Sequence, residues 1–469
     1  MNICFISLGC DKNLVDSEVM LGLLRDRGYS LTDDEAEADA IIINTCCFIH
    51  DAKQESIETI LEMAEYKKTG RLKALIAAGC LAQRYREEIR REIPEVDALI
   101  GTTAIDAVAD VVDRVLAASG AGTLSADRMQ AEKECPEIRQ PDAAFHDVFR
   151  DINALPLPDT RRVNTTGAYV SYLKIAEGCS KHCTYCAIPG IRGDYRSVPM
   201  ERLVEEAEFL AEGGTQELIL VAQETTLYGS DLYGEKKLPE LLKKLCAVDG
   251  IRWIRLLYCY PEEITPELIR TIKEEPKLCH YLDMPVQHAS DRVLQAMGRR
   301  TSRAELEALI AELRREIPDI ALRTTLITGF PGETAEDHEL LKEFVRSMRF
   351  ERLGVFPYSK EEGTPAARRK DQVPKRVKTA RQKELMAIQQ QIAFENAERM
   401  VGRSIEVMIE GRLVEEDIYV GRSRMDAPKI DGYVFLSTSR EYISGEIVRA
   451  EITDARGYDL IGRAEDKPQ

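Results

Sequence analysis

The sequence lacks any long apolar run. No stretch of about 18 consecutive apolar residues occurs among its 469 residues, so we expect no membrane-spanning helix. The start, MNICFISLGCDKN, also lacks the basic region and the apolar length of a secretory signal peptide. We therefore expect a cytoplasmic protein, in which disulfides are rare and clustered cysteines more often bind metal or take part in catalysis.

The chain also lacks a basic excess. Its 64 Lys and Arg residues stand against 81 Asp and Glu residues, which gives a net charge of −17. Enzymes that act on RNA usually carry a basic surface, so this charge favours a basic macromolecular partner over a nucleic acid. Acidity that only keeps the protein soluble explains the charge equally well.

Four short apolar runs near the start are each followed by a segment with helical periodicity. They occupy residues 2–7, 40–44, 73–78 and 97–101. This alternation predicts a parallel sheet with right-handed crossovers, in which the loops after the strands line one edge. We assign residues 1–117 to a doubly wound α/β domain, and residues 118–164, where the alternation stops and several glycines and prolines occur, to a linker.

The alternation resumes in the middle of the chain. Strands are predicted at residues 172–176, 217–222, 253–258, 281–286, 320–327 and 353–358, with helices at 200–211, 238–246 and 303–316 among the segments between them. Six such βα units predict a partial (β/α)6 barrel over residues 165–395.

The last part of the chain changes character. A long helix is predicted from Pro374, and its basic first turns are typical of a solvated helix face and, less often, of a nucleic-acid contact. Residues 397–469 then show short alternating strands separated by glycine turns, which predicts a small antiparallel β-barrel. From residue 401 onward this module has 10 Lys and Arg against 14 Asp and Glu, a net charge of −4.

Six of the twelve cysteines fall into two sets of three. Cys179, Cys183 and Cys186 form a compact C-x3-C-x2-C, whereas Cys10, Cys46 and Cys80 each follow a predicted strand. Three thiolates at each place indicate two iron–sulfur clusters, each with one iron that has no cysteine ligand.

Simpler explanations stand beside this one. The compact set could bind zinc, although only His182 lies close by as a fourth ligand. A single cysteine after a strand is often just a small buried residue. Cysteines without partner spacing are expected to be structural, namely Cys4, Cys135, Cys246, Cys259 and Cys279.

These residues carry a resemblance to a known family. The C-x3-C-x2-C with Tyr185 before its last cysteine, together with Gly213-Gly214 and ITGFPGE at residues 327–333, resembles the signature of radical S-adenosylmethionine enzymes. The three-part organisation resembles that of methylthiotransferases. SLGCDKNLVDSE at 7–18, INTCCFIHDAKQESI at 43–57, AAGCLAQRY at 77–85, AQETTLYG at 222–229, LDMPVQHAS at 282–290 and RSRMDAPKIDG at 422–432 resemble the RimO type.

The resemblance implies an activity. RimO-type enzymes insert a methylthio group at the β-carbon of an aspartate of small-subunit ribosomal protein S-twelve. They use two [4Fe–4S] clusters and S-adenosylmethionine, whose reductive cleavage gives a radical that removes hydrogen from an unactivated carbon. The terminal barrel would be a TRAM domain with an OB-like fold, and an electron donor and a sulfur donor would be partners. The related MiaB type modifies transfer RNA instead, and an iron–sulfur protein without radical chemistry is a further alternative.

The resemblance also implies roles for single residues. Cys10, Cys46 and Cys80 would bind one cluster, with Cys46 rather than its neighbour Cys47 as the ligand, and Cys179, Cys183 and Cys186 would bind the other. Cofactor-binding candidates are Gly213, Gly214, Arg323, Gly329 and Gly332. Each of these has a structural explanation too, as a turn or as a salt-bridged strand arginine. Gln287 and His288 are expected to form a hydrogen-bonding pair at a strand end, and no catalytic side chain is predicted beyond the cluster-bound cofactor.

Overall fold

The computed structural model describes residues 1–120, 146–155 and 162–465, so much of the predicted linker 118–164 lies outside the described residues. The chain divides into two compact units. The first comprises Met1–Thr165, Glu177–Lys181 and Cys186–Arg196, and the second comprises Thr166–Ala176, His182–Tyr185 and Ser197–Gln469. No helix within the described ranges is both long enough and apolar enough to cross a membrane.

The first unit is built on a five-stranded parallel sheet. Its strands are β1 (Asn2–Ser7), β2 (Ser30–Thr32), β3 (Ala40–Thr45), β4 (Ala74–Gly79) and β5 (Ala98–Ile100), in the spatial order β2-β1-β3-β4-β5. Its helices are α1 (Asp11–Asp26), α2 (His50–Ala64), α3 (Tyr66–Thr69), α4 (Cys80–Arg84), α5 (Arg86–Glu92), α6 (Val108–Ala118) and α7 (Ile188–Arg192). This is the doubly wound arrangement expected from the alternation, and its order changes direction between β1 and β3.

Every residue of β3 and β4 is buried, because two separate apolar clusters cover the two faces of the sheet. Strands covered on both faces read as continuous apolar runs, which is why AIIINT and ALIAAG were visible as strands. The edge strand β2 was not predicted. Its three residues are partly polar and exposed, and they carry no periodic signal.

The second unit holds a six-stranded sheet in which each strand pairs in parallel with the next. Its strands are β6 (Val170–Lys174), β9 (Glu217–Val221), β10 (Trp253–Leu256), β11 (Leu278–Asp283), β12 (Ala321–Thr328) and β13 (Arg352–Pro357). The short strands β7 (Ala176–Glu177) and β8 (Arg196–Ser197) form a separate two-stranded sheet, and the residues of each are divided between the two units. The helices are α8 (Met200–Glu212), α9 (Leu238–Cys246), α10 (Pro266–Glu274), α11 (Asp291–Ala296), α12 (Arg303–Glu316), α13 (Ala335–Met348) and α14 (Lys375–Glu398). The six predicted βα units are therefore present.

The chain ends in a closed five-stranded barrel. Its strands are β14 (Ser404–Leu413), β15 (Ile418–Ser423), β16 (Val434–Ser437), β17 (Ile447–Arg456) and β18 (Asp459–Ala464), in the order β14-β15-β16-β18-β17. Neighbouring strands are antiparallel except β16 and β18, which pair in parallel. The parallel pair arises because β17 lies between them in sequence and runs antiparallel to β18.

A buried ionic network joins the barrel to the six-stranded sheet within the second unit. Glu217, at the start of β9, accepts hydrogen bonds from Arg255 of β10 at 2.7 Å and from Arg422 of β15 at 2.6 Å. All three side chains are buried. Nearby, the Tyr281 hydroxyl donates to Asp431 at 2.8 Å. The segment after β15 is thus held against the strands by ion pairs as well as by packing.

Candidate metal centres

The structure brings the three loops that carry Cys10, Cys46 and Cys80 to one edge of the five-stranded sheet. Cys10 lies directly before α1, Cys46 follows β3, and Cys80 is the first residue of α4. Gly9 has a φ of +91°, and a Cβ atom on it would lie 2.6 Å from the Cβ of Cys46. Only glycine combines that backbone conformation with such a close approach. The first two loops can therefore touch.

Two polar side chains tie the loops together. The Asn13 amide nitrogen donates to the carbonyls of Leu8 and Thr45, each at 2.9 Å. The Thr45 hydroxyl donates to the Ala78 carbonyl and accepts from the backbone N–H of Leu81 at 3.2 Å. Each of the three loops is thus hydrogen-bonded to at least one of the others. Sequence reasoning did not select Asn13, although it lies in the CDKN segment on the first turns of α1.

The thiols of this set lie close enough to influence one another's pKa values. Cys46 and Cys80 are buried, and Cys10 is exposed. Burial, and then the neighbouring Cys80, raise the pKa of Cys46 to about 12. Burial also raises the pKa of the Cys80 thiol, and the Arg192 guanidinium opposes that rise. A bound metal cluster would supply the positive charge that converts such thiols into thiolate ligands.

Cys46 and Cys47 have different surroundings. The Cys46 sulfur lies 2.8 Å from the position that a Cβ of Gly9 would occupy, so it faces the loop of Cys10. Its backbone is fixed by Ser56, whose hydroxyl accepts from the Cys46 N–H at 3.0 Å and donates to the Cys46 carbonyl at 2.9 Å. Cys47 is fully buried in an apolar cluster that also contains Ile60 and Cys80. Cys46 thus faces the loop of Cys10, and its choice over Cys47 as the ligand stays a prediction.

The members of the compact set are divided between the two units, so each is described in its own surroundings. In the first unit, the Cys179 N–H donates to the Gly193 carbonyl at 3.0 Å, and the Cys186 sulfur accepts from the Ile188 N–H at 3.5 Å. In the second unit, the Cys183 sulfur lies 3.4 Å from the Tyr260 hydroxyl. Cys179 and Cys183 are buried, and Cys186 is partly exposed.

The residues next to Cys183 are anchored to the loops that follow the strands of the second unit. The Thr184 N–H donates to the Met297 carbonyl at 2.9 Å, and its hydroxyl donates to the Ala296 carbonyl at 2.8 Å. Tyr185 packs against an apolar cluster that contains Phe330 and Tyr358. Cys183 is therefore held at the carboxyl edge of the six-stranded sheet, as the position of the motif after the first predicted strand of that sheet indicated.

Across the described residues, no group of three or more His, Cys, Asp or Glu side chains is arranged to hold a single metal ion. Each set nevertheless supplies three sulfur atoms, which is the donor type that iron–sulfur clusters require. The residues present fit such a group.

Several residues at the carboxyl edge of the second unit have unusual backbone conformations. Positive φ angles occur at His182 (51°), at Tyr258 after β10 (60°) and at Gln287 after β11 (70°). Such conformations are costly for residues other than glycine, and they concentrate at binding and catalytic sites. Tyr258 was not among the predicted site residues, because a residue's backbone angle leaves no mark in a single sequence.

Gln287 and His288 do not form the expected hydrogen-bonding pair with each other. The His288 Nδ1 accepts from the Ser290 N–H at 3.0 Å, so the proton of the neutral ring belongs on Nε2. That Nε2 faces the Glu333 carboxylate at 3.7 Å, beyond hydrogen-bond distance. The Gln287 side-chain oxygen is buried and accepts no hydrogen bond from any described residue.

Gly213 and Gly214, two of the predicted cofactor-binding residues, lie at the end of a helix. They lie between the end of α8 and the start of β9, at the amino edge of the sheet, whereas Cys183 lies at the carboxyl edge. The two glycines end the helix: Gly214 has a φ of +102°, and its N–H donates to the Ala211 carbonyl at 2.9 Å. Glycine at this position is a common helix stop signal.

Gly329 and Gly332 lie at the carboxyl end of β12, on the expected edge, but both have a packing role. A Cβ on Gly329 would overlap the Lys378 side chain, and one on Gly332 would lie 2.5 Å from an Asp371 carboxylate oxygen. Their N–H groups are also occupied: that of Gly329 donates to Glu333 at 2.6 Å, and that of Gly332 donates to the Asp371 carbonyl at 2.8 Å. Close packing accounts for both glycines.

Arg323 is salt-bridged within the protein. It is the third residue of β12, and its guanidinium donates to Asp283 at 2.9 Å and lies 3.8 Å from Asp431. The other Asp283 oxygen accepts from the Tyr258 N–H at 3.1 Å. These contacts favour the structural explanation of Arg323 that the sequence left open.

Family models match the chain in three consecutive regions. Residues 2–101 match a model described as an uncharacterized protein family, UPF0004. Residues 173–345 match the radical SAM superfamily, and residues 401–464 match the TRAM domain. The second match covers the six-stranded sheet except β13 and the start of β6, and the third covers the closed barrel.

Curated relatives match over almost the full length. The ribosomal protein uS12 methylthiotransferase RimO of Lachnoclostridium phytofermentans is 67% identical over 99% of this chain and 100% of its own. The chain belongs to the RimO methylthiotransferase family. Enzymes of the same name from Geobacter sulfurreducens and Clostridioides difficile are 48% and 46% identical to this RimO-family chain, each over 98% of both chains.

Solved structures resemble this RimO-family chain more distantly. The radical S-adenosylmethionine methyltransferase TsrM from Kitasatospora setae superposes with a TM-score of 0.53 at 13% identity, over 78% of this chain and 76% of its own. The cobalamin-dependent radical enzyme OxsB gives 0.51 at 12% identity, over 78% and 54%. At such identities the likeness shows the fold, which agrees with the parallel-sheet architecture expected from the sequence.

Proposed function

We propose that this enzyme inserts a methylthio group at the β-carbon of an aspartate of ribosomal protein uS12 by radical S-adenosylmethionine chemistry. The observation that carries the proposal is the 67% identity, over 99% of the chain, to an enzyme named for that substrate. The acidic charge of −17 is complementary to a basic ribosomal protein and would repel the phosphates of transfer RNA. A RimO-type enzyme would meet its substrate where ribosomal proteins are made, in the cytoplasm.

Two [4Fe–4S] clusters and S-adenosylmethionine are the cofactors of this reaction, and we assign the ligands by position. Cys10, Cys46 and Cys80 would hold one cluster. Cys179, Cys183 and Cys186 would hold the other. When bound, these groups supply the reducing and radical chemistry that opens an unactivated C–H bond, which no ordinary acid or base in a protein can do. An electron donor and a sulfur donor complete the proposed partners.

The protein's side chains would position the cluster ligands and exclude water from the compact cysteine motif. Asn13 and Thr45 fix the loops of the first set through hydrogen bonds to backbone groups. The Tyr260 hydroxyl lies at hydrogen-bond distance from the Cys183 sulfur and can donate to it when it is a thiolate. The apolar cluster around Tyr185, Phe330 and Tyr358 excludes water on one side of the motif. The division into residues 1–117, 165–395 and 397–469 remains our proposal for the domains.

Mass spectrometry of uS12 and transfer RNA tests this function. Cells that lack the gene are complemented with the wild-type enzyme, with Cys183→Ala, or with Cys246→Ala, a control that removes another buried cysteine of the second unit. We expect the wild-type enzyme and the control to restore the methylthio mark on the uS12 aspartate, and Cys183→Ala to restore none. A mark that returns only on adenosine of transfer RNA would identify a MiaB-type substrate. Full activity of Cys183→Ala would exclude the ligand assignment.

A further inference from the structure

Arg192 is a buried cation beside the first cysteine set, and the proposed function gives it no role. It is the last residue of α7 and follows Cys186 by six positions in sequence. Its side chain is only 2% exposed. The guanidinium donates to Asp16 at 2.7 Å and to Glu177 at 3.1 Å, and it also donates to the side-chain oxygen of Asn13. All these residues belong to the first unit.

Asn13 connects this guanidinium to the cysteine loops. Its amide nitrogen is committed to the carbonyls of Leu8 and Thr45, so the orientation of the amide group is fixed with its oxygen on the opposite side. That oxygen accepts from Arg192 and lies 3.9 Å from the Cys80 sulfur. Because Asn13 contacts all three cysteine loops, a substitution of Arg192 that shifts the Asn13 side chain would disturb all of them.

Two buried carboxylates pair with Arg192. Asp16 lies 2.7 Å and Glu177 lies 3.1 Å from its guanidinium, and Glu177 also attracts the neighbouring guanidinium of Arg196. A cluster held by three thiolates adds further negative charge when it accepts an electron. In a poorly solvated interior such charges interact strongly, and a buried charge that loses its partner is costly. Arg192 is a fully buried cation that pairs with both carboxylates and would also offset the charge of a reduced cluster.

We infer that Arg192 is a positioning residue for the N-terminal cluster: it fixes the Asn13 amide and, by offsetting Asp16 and Glu177, holds the reduction potential of that cluster at a less negative value. The inference rests on the proposed function in one respect, namely that Cys10, Cys46 and Cys80 bind the cluster. It adds a tuning role that the cysteine spacing does not contain. Arg192 belongs to the segment that follows Cys186, so the sequence around Cys10, Cys46 and Cys80 does not indicate its role.

The test measures the potential of the N-terminal cluster alone. The parent is the full-length chain with Cys179, Cys183 and Cys186 all changed to Ala and its iron–sulfur cluster reconstituted. Its reduction is followed by potentiometric titration with electron paramagnetic resonance detection. The matched control is Arg162→Gln, because Arg162 forms a comparably buried pair with Glu18 at 3.5 Å in the same unit.

Opposite charge changes have opposite expected effects. Arg192→Gln removes the cation, so we expect a more negative potential and an altered resonance spectrum. Asp16→Asn removes one anion, so we expect a less negative potential. Arg192→Lys keeps the charge but loses the planar fork, so we expect a potential near that of the parent with an altered spectrum. The control should leave both the potential and the spectrum unchanged.

The outcomes separate this inference from the proposed function. Equal potentials in the parent, Arg192→Gln and Asp16→Asn variants would overturn the tuning role while leaving the ligand assignment intact. A parent that binds no iron would instead overturn the ligand assignment, and this inference with it. If Arg192→Gln fails to fold, the predicted rise for Asp16→Asn and the near-parent potential of Arg192→Lys decide the question.

Discussion

Arg422 of the terminal barrel and Glu217 of β9 form a buried ion pair at 2.6 Å, although 205 positions separate them in the chain. Glu217 is also paired with Arg255, so two guanidinium groups share one carboxylate. The largest influence on its pKa is burial, which raises it, but the two arginines outweigh burial and leave the pKa of Glu217 below its ordinary value. The barrel and the six-stranded sheet thus share one ionic centre.

Replacing Glu217 by Gln should destabilise the second unit severely. Two arginines would remain buried without their shared anion, and the loss of one member of a buried pair costs about 3–5 kcal/mol of unfolding free energy. Chemical denaturation monitors this loss. Glu307→Gln is the control, because its pair with Arg303 lies on the surface of α12 and should cost under about 1 kcal/mol. Equal stability of the two variants would contradict the ionic centre.

Asp337 should lower the free energy of unfolding of the second unit as the pH falls. Burial alone would raise the pKa of this carboxyl, but hydrogen bonds, first from Ser290 and then from Thr334, lower it from 3.8 to about 2. A carboxyl with a lowered folded-state pKa contributes stability above its unfolded value, and the contribution is lost as the pH falls towards 2.

Asp337→Asn should therefore remove about 1–2 kcal/mol of stability at pH 5 and much less at pH 2. Urea denaturation at the two pH values measures the difference. Asp337 forms a capping box with Thr334 at the start of α13. Glu305 forms the same motif with Ser302 at the exposed start of α12, so Glu305→Gln provides the comparison. A loss that is the same at both pH values would show that Asp337 acts by shape and not by charge.

Gly9→Ala should prevent assembly of the N-terminal cluster. The new Cβ would collide with Cys46 and push the first two loops apart. Gly28→Ala is a closely matched control, because Gly28 has a φ of +92° with nothing within 4 Å of the new Cβ. Both variants pay about 1–3 kcal/mol for the backbone conformation, so only the collision distinguishes them. Iron content per chain measures the result, and full cluster loading of Gly9→Ala would refute the close approach.

Gly213→Ala should leave binding of S-adenosylmethionine unchanged. Gly213 has a φ of −74°, and its new Cβ would come no closer than 3.3 Å to the Leu210 carbonyl, at the sheet edge opposite Cys183. Equilibrium binding to the reconstituted enzyme provides the measurement. A tenfold weaker affinity would restore Gly213 as a cofactor residue.

Buried strands and the local cysteine motif were readable from the sequence, because each leaves a dense local pattern. AIIINT and ALIAAG are apolar throughout, and C-x3-C-x2-C places three sulfurs within eight residues. The fold class followed from these patterns, the family followed from the resemblance of longer motifs, and both were confirmed. The three-residue β2 escaped detection because SLT has neither length nor apolar character.

Features that depend on contacts between distant parts of the chain could not be predicted from the sequence. Arg192 and Asn13 form a hydrogen bond although 179 positions separate them, and no local sequence pattern indicates that contact. The cofactor role predicted for Gly213 and Gly214 has a different origin. A glycine directly after the last periodic residue of a helix is a stop signal, and it was given a cofactor role because a resemblance suggested one. The loops before and after a strand lie at opposite edges of a sheet. Gly213 and Gly214 precede β9, so they lie at the edge opposite the loops that follow the strands.

The shared position of Glu217 bears on how this protein can be dissected. A fragment that ends near Glu398 would keep the pair of Glu217 and Arg255 but would lose Arg422. It would also lose Asp431, which accepts a hydrogen bond from the Tyr281 hydroxyl. Water would then enter a face of the sheet whose charged side chains evolved in contact with another part of the chain. The terminal barrel therefore covers a face of the sheet that would otherwise be open to water, and expression trials that remove it should yield aggregates even though all six predicted cluster ligands are still present.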